Sequence, residues 1–144
     1  PLPRRYTLAE VRASRDVRAY VGAVDIDTIT FDTGSWTTEP DQVGRLDVIA
    51  RSVAKILSRN PNEVFLVEGH TDAGGSDVDN LSLSDRRAQS VAAVLTRDFR
   101  IPAENLVTQG YGETELKEQT SGPSRVNRRV SVRRITPLMG TAGN

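Results

Sequence analysis

The spacing of apolar residues predicts two amphipathic helices and several short strands. Val43, Leu46, Ile49, Val53, Ile56 and Leu57 fall on one face of a helix from about Pro40 to Ser58. Thr38 as cap, Pro40 in the first turn and Asp41 three residues after the cap mark its start. Asn60-Pro61-Asn62 stops it. The second helix runs to about Asp98 and begins at Ser82, where Ser82-Leu83-Ser84-Asp85 fits a capping box, or one turn earlier at Asn80. At about 100° per residue, Ala88, Val91, Ala92 and Leu95 share its core side. Arg86 then faces solvent, and Arg87 falls on the border between core and water, able to reach back over the helix start.

Val64-Phe65-Leu66-Val67 reads as a buried strand that ends in the polar run Glu68-Gly69-His70-Thr71-Asp72. Ala23 to Phe31 alternates apolar and polar residues, with one slip of parity at Asp27-Thr28. Leu106 to Tyr111 is a third strand. Asn127 to Ile135 is a final, half-exposed strand that alternates Val130 and Val132 against Arg129, Ser131 and Arg133. The order β-α-β-α-β-β predicts an α+β domain. Its mixed sheet has four strands, or five if the first one splits, and is covered mainly on one face by the two helices. Residues 1–21 read as a linker or short docking helix, with Thr7 as cap, Glu10 three residues on, and Arg12, Arg15 and Arg18 along a polar edge. Residues 22–137 form the domain, and residues 138–144 a disordered tail.

Composition narrows the function. Net charge is zero, so the whole domain has no electrostatic footprint for nucleic acid. Seventeen arginines stand against Lys55 and Lys117, a bias toward planar donors suited to carboxylate or phosphate. The absence of cysteine removes disulfides, thiol nucleophiles and Cys-bound metal. No stretch approaches the roughly 20 apolar residues that span a bilayer. Beginning at Pro1, the sequence reads as an excised piece whose targeting information has been removed.

The candidate chemistry gathers where the Val64–Val67 strand ends, the place where open α/β sheets hold ligands. Asp72 is a carboxylate at the strand exit, and Arg87 a fork of donors fifteen residues on. Taken alone, Asp72 reads as an Asx-type turn and Arg87 as a solvated helix charge. Together they suit a ligand carrying an ammonium and a carboxylate, such as the free end of an amino acid. Gly74 and Gly75 let backbone N–H groups approach a ligand. Asn80 reads as a helix cap, a ligand contact, or both. His70 is the single histidine and has no nucleophile elbow nearby, so no catalytic residue is assigned. Asp72, Asp77 and Asp79 do not match the calcium-loop spacing, so neither a metal nor a cofactor is expected. The basic run Arg125, Arg128, Arg129, Arg133 and Arg134 lacks interleaved aromatics, which argues against nucleic acid. Strand alternation sends Arg128 and Arg129 to opposite sides.

Five ordered motifs over about residues 22 to 136 give the chain a resemblance. They are Gly69-His70-Thr71-Asp72 with Gly75, Asn80-Leu81-Ser82-Leu83-Ser84, Arg86-Arg87-Ala88-Gln89-Ser90-Val91, Gln109-Gly110-Tyr111-Gly112 and Asn127-Arg128-Arg129-Val130. The chain resembles the OmpA-like peptidoglycan-binding domain. That resemblance implies non-catalytic binding of the stem peptide of peptidoglycan through meso-diaminopimelate, in the periplasm of a Gram-negative bacterium. The domain would anchor a membrane protein or lipoprotein, attached upstream, to the cell wall. It further implies that Asp72 holds the ammonium and Arg87 the carboxylate. Asn80, Arg128, Thr33, Gly34 and Gly74 would lie at the ligand, Thr33 and Gly34 within a lining loop from Asp32 to Ser35. Two positions depart from the family pattern. Asp79 stands where tyrosine is frequent, and Gly74 where a larger side chain is usual. They keep open an alternative, a structural or protein-interaction module with weak or lost wall binding. A homodimer is also left open.

Overall fold

A computed structural model describes residues 4–38 and 40–139, and within them the backbone alone at 23–30, 40, 41 and 45. In chain order the elements are α1 (Leu8–Ala13), α2 (Arg15–Arg18), β1 (Ala23–Thr30), α3 (Pro40–Arg59), β2 (Phe65–Gly69), α4 (Asp77–Phe99), β3 (Leu106–Gly110) and β4 (Arg129–Arg134). Short 3₁₀ turns at Ala103–Asn105 and Thr136–Leu138 flank β3 and β4.

The strands form one mixed sheet in the order β1-β4-β2-β3. β4 runs antiparallel to both β1 and β2, whereas β2 and β3 are parallel and joined through α4. A parallel pair needs such a crossover, and the amphipathic helix supplies it. The register of β1 on β4 shifts between Ile26 and Thr30, where the sequence pattern loses parity.

α3 and α4 cover one face. Leu46, Ile49, Ala50 and Val53 meet Ala88, Val91, Val94 and Leu95 over Phe65, Val67, Val130 and Val132 of the sheet. Two glycines set how close α4 lies. A Cβ on Gly69 would sit 1.9 Å from the Ser84 carbonyl oxygen, and one on Gly110 would sit 2.4 Å from the Asp85 nitrogen. No larger residue fits at either place without moving backbone.

The opposite face departs from expectation, because it too is covered. Tyr6, Val11, Leu66, Ile135 and Leu138 form a second buried cluster beneath α1 and α2. Thr7 and Glu10 close the expected capping box at the head of α1. Arg18, read as part of a polar edge, is 1% exposed. It pairs with Glu115, stacks 4.0 Å from the Tyr111 ring centroid and donates to the Val11 and Arg12 carbonyls. β4 is therefore not half-exposed. Arg129 and Ser131 are buried, and Arg133 pairs with Glu68 at 2.6 Å while donating to the Arg18 and Val21 carbonyls. Leu138 and Met139, assigned to the tail, are packed as well: Tyr6 N–H donates to the Leu138 carbonyl at 2.8 Å, and Tyr6 bridges to Met139. The rest of that tail lies outside the described residues.

α4 starts earlier than either expected position. Its cap is Ser76, whose hydroxyl accepts from Asp79 N–H at 3.2 Å. Asp77 and Asp79 then lie in the first turn, where the helix dipole favours negative charge. The capping box at Ser82 is unused.

Candidate functional site

Beyond Gly69 the chain leaves the sheet and Asp72 turns its carboxylate inward. One oxygen accepts Gly74 N–H at 3.1 Å, which is the expected local turn. The other accepts Ser124 N–H at 3.1 Å and Arg128 Nη1–H at 2.8 Å. Burial opposes ionisation, but the Arg128 bond and the two backbone donors outweigh it and hold the carboxyl below its ordinary value. Arg128 also donates Nε–H to the Phe31 carbonyl at 2.7 Å. Its neighbour Arg129 points to the other side of the sheet and donates to the Glu115 carbonyl.

Arg87 is 0% exposed, so it is not the border residue that the wheel suggested. With α4 beginning at Asp77, Arg87 lies in the third turn and projects under the segment that follows β1. Its three nitrogens donate to the carbonyls of Ser35 at 2.8 Å, His70 at 3.1 Å and Asp32 at 3.2 Å. Burial lowers its pKa to about 10, assisted by the positive charge of Arg128 and opposed by the negative charge of Asp72. Asp72, Arg87 and Arg128 thus share one electrostatic cluster, in which Asp72 bonds Arg128 directly and Arg87 holds backbone.

The turn above Arg87 is closed by Ser35 N–H donating to the Asp32 carbonyl at 3.0 Å. Thr33 and Gly34 are its exposed central residues, and Gly34 has φ +73°, a left-handed value that glycine adopts without strain. Arg125 pairs with the Asp32 side chain at 3.3 Å. Asn80 caps no helix. Its amide nitrogen donates to the Gly74 carbonyl at 2.9 Å, the Glu113 carboxylate at 3.0 Å and the Asp72 carbonyl at 3.4 Å. It ties the 72–75 loop to α4. A Cβ on Gly74 would lie 3.3 Å from an Asp72 carboxylate oxygen, so glycine there keeps that oxygen uncrowded.

A model of the OmpA family matches residues 30–129, more than half of the chain. The chain belongs to the OmpA family. The matched span contains Asp32–Ser35, Asp72, Asn80, Arg87 and Arg128. Among curated relatives, the OmpA-family chain is 34% identical over 82 residues to outer membrane porin F of Pseudomonas aeruginosa, covering 56% of this chain and 23% of that protein. It is 39% identical over 95 residues to the outer-membrane lipoprotein YfiB of the same organism, covering 65% and 54%. It is 38% identical over 91 residues to the peptidoglycan-associated lipoprotein of Agrobacterium fabrum, covering 60% and 46%. The chain therefore spans about half or less of these relatives. Two crystal structures share its fold. They are the C-terminal domain of Helicobacter pylori MotB (TM-score 0.62, 24% identity, 72% of this chain and 80% of that one) and the peptidoglycan-associated lipoprotein from Burkholderia pseudomallei (0.60, 18%, 74% and 86%).

Several residues that organise this OmpA-family site carry no signal of their own in the sequence. Ser124 and Glu113 reach Asp72 and Asn80 from a long loop. Asn127 is fully buried and shapes that loop, accepting from Lys117 N–H and Glu118 N–H and donating to the Glu118 carbonyl, each at 2.8 Å. Its place in an Asn-Arg-Arg run was the one available hint. His70 is buried and stacked on Tyr111 with ring centroids 5.8 Å apart. Burial and nearby arginines push its pKa well below 6.5, so the ring is neutral.

Proposed function

We propose that this domain binds peptidoglycan non-covalently through the meso-diaminopimelate of its stem peptide and so anchors an envelope protein to the cell wall. The observation that carries the reading is the Asp72–Arg87–Arg128 cluster at the carboxyl end of β2, fixed in place by buried hydrogen bonds. Asp72 takes the ligand ammonium. The ligand carboxylate replaces the Asp32 and Ser35 carbonyls on Arg87, exchanging neutral acceptors for a charged one. Thr33 and Gly34 line the displaced turn, Gly74 adds no Cβ against the Asp72 oxygen that its N–H engages, and Asn80 keeps the 72–75 loop in position. The role is read as binding, with the single histidine packed away at 2% exposure. Membership of the OmpA family and likeness to an outer-membrane porin and two envelope lipoproteins support a periplasmic position in a Gram-negative bacterium. Among the described residues, no helix is long and apolar enough to cross a membrane.

One observation favours a second reading, an interaction module without wall binding. All three nitrogens of Arg87 already donate, and Asp72 already has Arg128. Calorimetry with a diaminopimelate-containing tripeptide, together with pull-down on purified sacculi, separates the two. On the wall-binding reading Asp72→Asn weakens tripeptide binding roughly 10- to 100-fold, the worth of one charge-assisted contact. Arg87→Lys, which keeps charge but not the fork, weakens it comparably while circular dichroism stays native. No heat from the native chain at millimolar tripeptide supports the second reading.

A further inference from the structure

Trp36 stands beside the Asp72–Arg87 cluster without taking part in it. It directly follows Ser35, whose carbonyl accepts from Arg87. It is the chain's single tryptophan, and its side chain is 44% exposed. The Arg86 guanidinium lies 4.7 Å from the ring centroid, a cation–π contact that orients the indole without burying it. Arg86 and Arg87 are consecutive on α4, so one arginine serves the cluster below while the other serves the ring above. Gln89 and Ser90 complete an open groove of about 520 Å³ with Trp36 and Arg86. The Ser90 hydroxyl is held by Thr38 at 3.2 Å.

An accessible aromatic plate rimmed by guanidinium, amide and hydroxyl groups matches one ligand chemistry well. A pyranose has an apolar face of C–H groups to lay on the indole, and a rim of hydroxyls and an N-acetyl carbonyl for Arg86, Gln89 and Ser90. We propose that Trp36, Arg86, Gln89 and Ser90 form a subsite for an N-acetylated sugar of the glycan strand. The proposal rests on the stem-peptide reading above, because a sugar reaches this groove as the attachment point of a peptide held at Asp72 and Arg87. Trp36 follows directly on Ser35, so the groove adjoins one of the carbonyls that Arg87 holds.

The test compares a free diaminopimelate-containing tripeptide with the same tripeptide on its disaccharide, using calorimetry and the emission of Trp36 as a built-in reporter. The disaccharide-peptide should bind about three- to tenfold more tightly than the tripeptide and shift the tryptophan emission. Trp36→Ala should erase that gain and leave tripeptide affinity unchanged, while Trp36→Tyr keeps part of it. Equal affinity for the two ligands with unmoved emission overturns the subsite and leaves the stem-peptide site standing. Equal loss of both ligands in Trp36→Ala also overturns it, since the ring would then only support the turn. If the tripeptide fails to bind, the stem-peptide reading falls. Trp36-dependent binding of the disaccharide would then still sustain the sugar site, and its absence would reject that too.

Discussion

Arg87 shows how much of a fold can hang on one buried side chain. It holds together carbonyls from positions 32, 35 and 70. The sequence marked Asp72 and Arg87 as a pair, and in the structure they influence each other electrostatically while Asp72 bonds Arg128 and Arg87 bonds backbone. It did not show the grip on the turn, which depends on backbone some fifty residues earlier. Asp72 carries a testable consequence of its own. Its folded-state pKa is depressed, so its contribution to stability is full above the ordinary value of 3.8 and is lost as pH falls through the folded value. Urea midpoints measured from about pH 6 to about pH 2 should fall steeply for the native chain. For Asp72→Asn, which cannot ionise, the fall should be shallower, and identical curves would show that the Arg128 bond contributes no net stability.

At the level of elements, periodicity located the strands and helices well, and it failed where chemistry outside the pattern decided. α4 begins at a serine followed by acidic residues, whereas the apolar rhythm becomes visible only later. β4 alternates like a half-exposed strand, yet its polar side is filled by arginines whose carboxylate and carbonyl partners come from elsewhere in the chain. The glycines that end β2 and β3 were legible as motif letters but not as contacts. Their role is proximity: α4 rests on them with no room for a methyl group. Gly69→Ala should therefore destabilise the fold by about 3 kcal/mol, the upper end of overpacking costs, because the atom it strikes is backbone. Thermal or urea unfolding reads this directly, and a loss under about 0.5 kcal/mol would mean that α4 can shift outward freely.

On the scale of the whole molecule, the N-terminal segment is part of the packing and not an ornament. It covers Leu66, Ile135 and Leu138 and places Arg18 on Glu115. A chain starting at Gly22 should lose about 3 kcal/mol or more from the missing burial of Tyr6 and Val11 alone, with a lower denaturant midpoint and an otherwise native spectrum. An unchanged midpoint would show that the segment merely rests there. The same docking brings both ends of the described chain together. Tyr6 meets Leu138, and Val64 and Ile135 pair, at the start of β2, while Asp72 lies past its finish. Five residues of strand, about 16 Å at 3.3 Å each, separate these poles. The ends of the described chain, Arg4 and Met139, thus lie toward one pole of the molecule. On the wall-binding proposal, the ligand would then meet the pole opposite the described chain ends, and a tether and the wall would not compete for one surface.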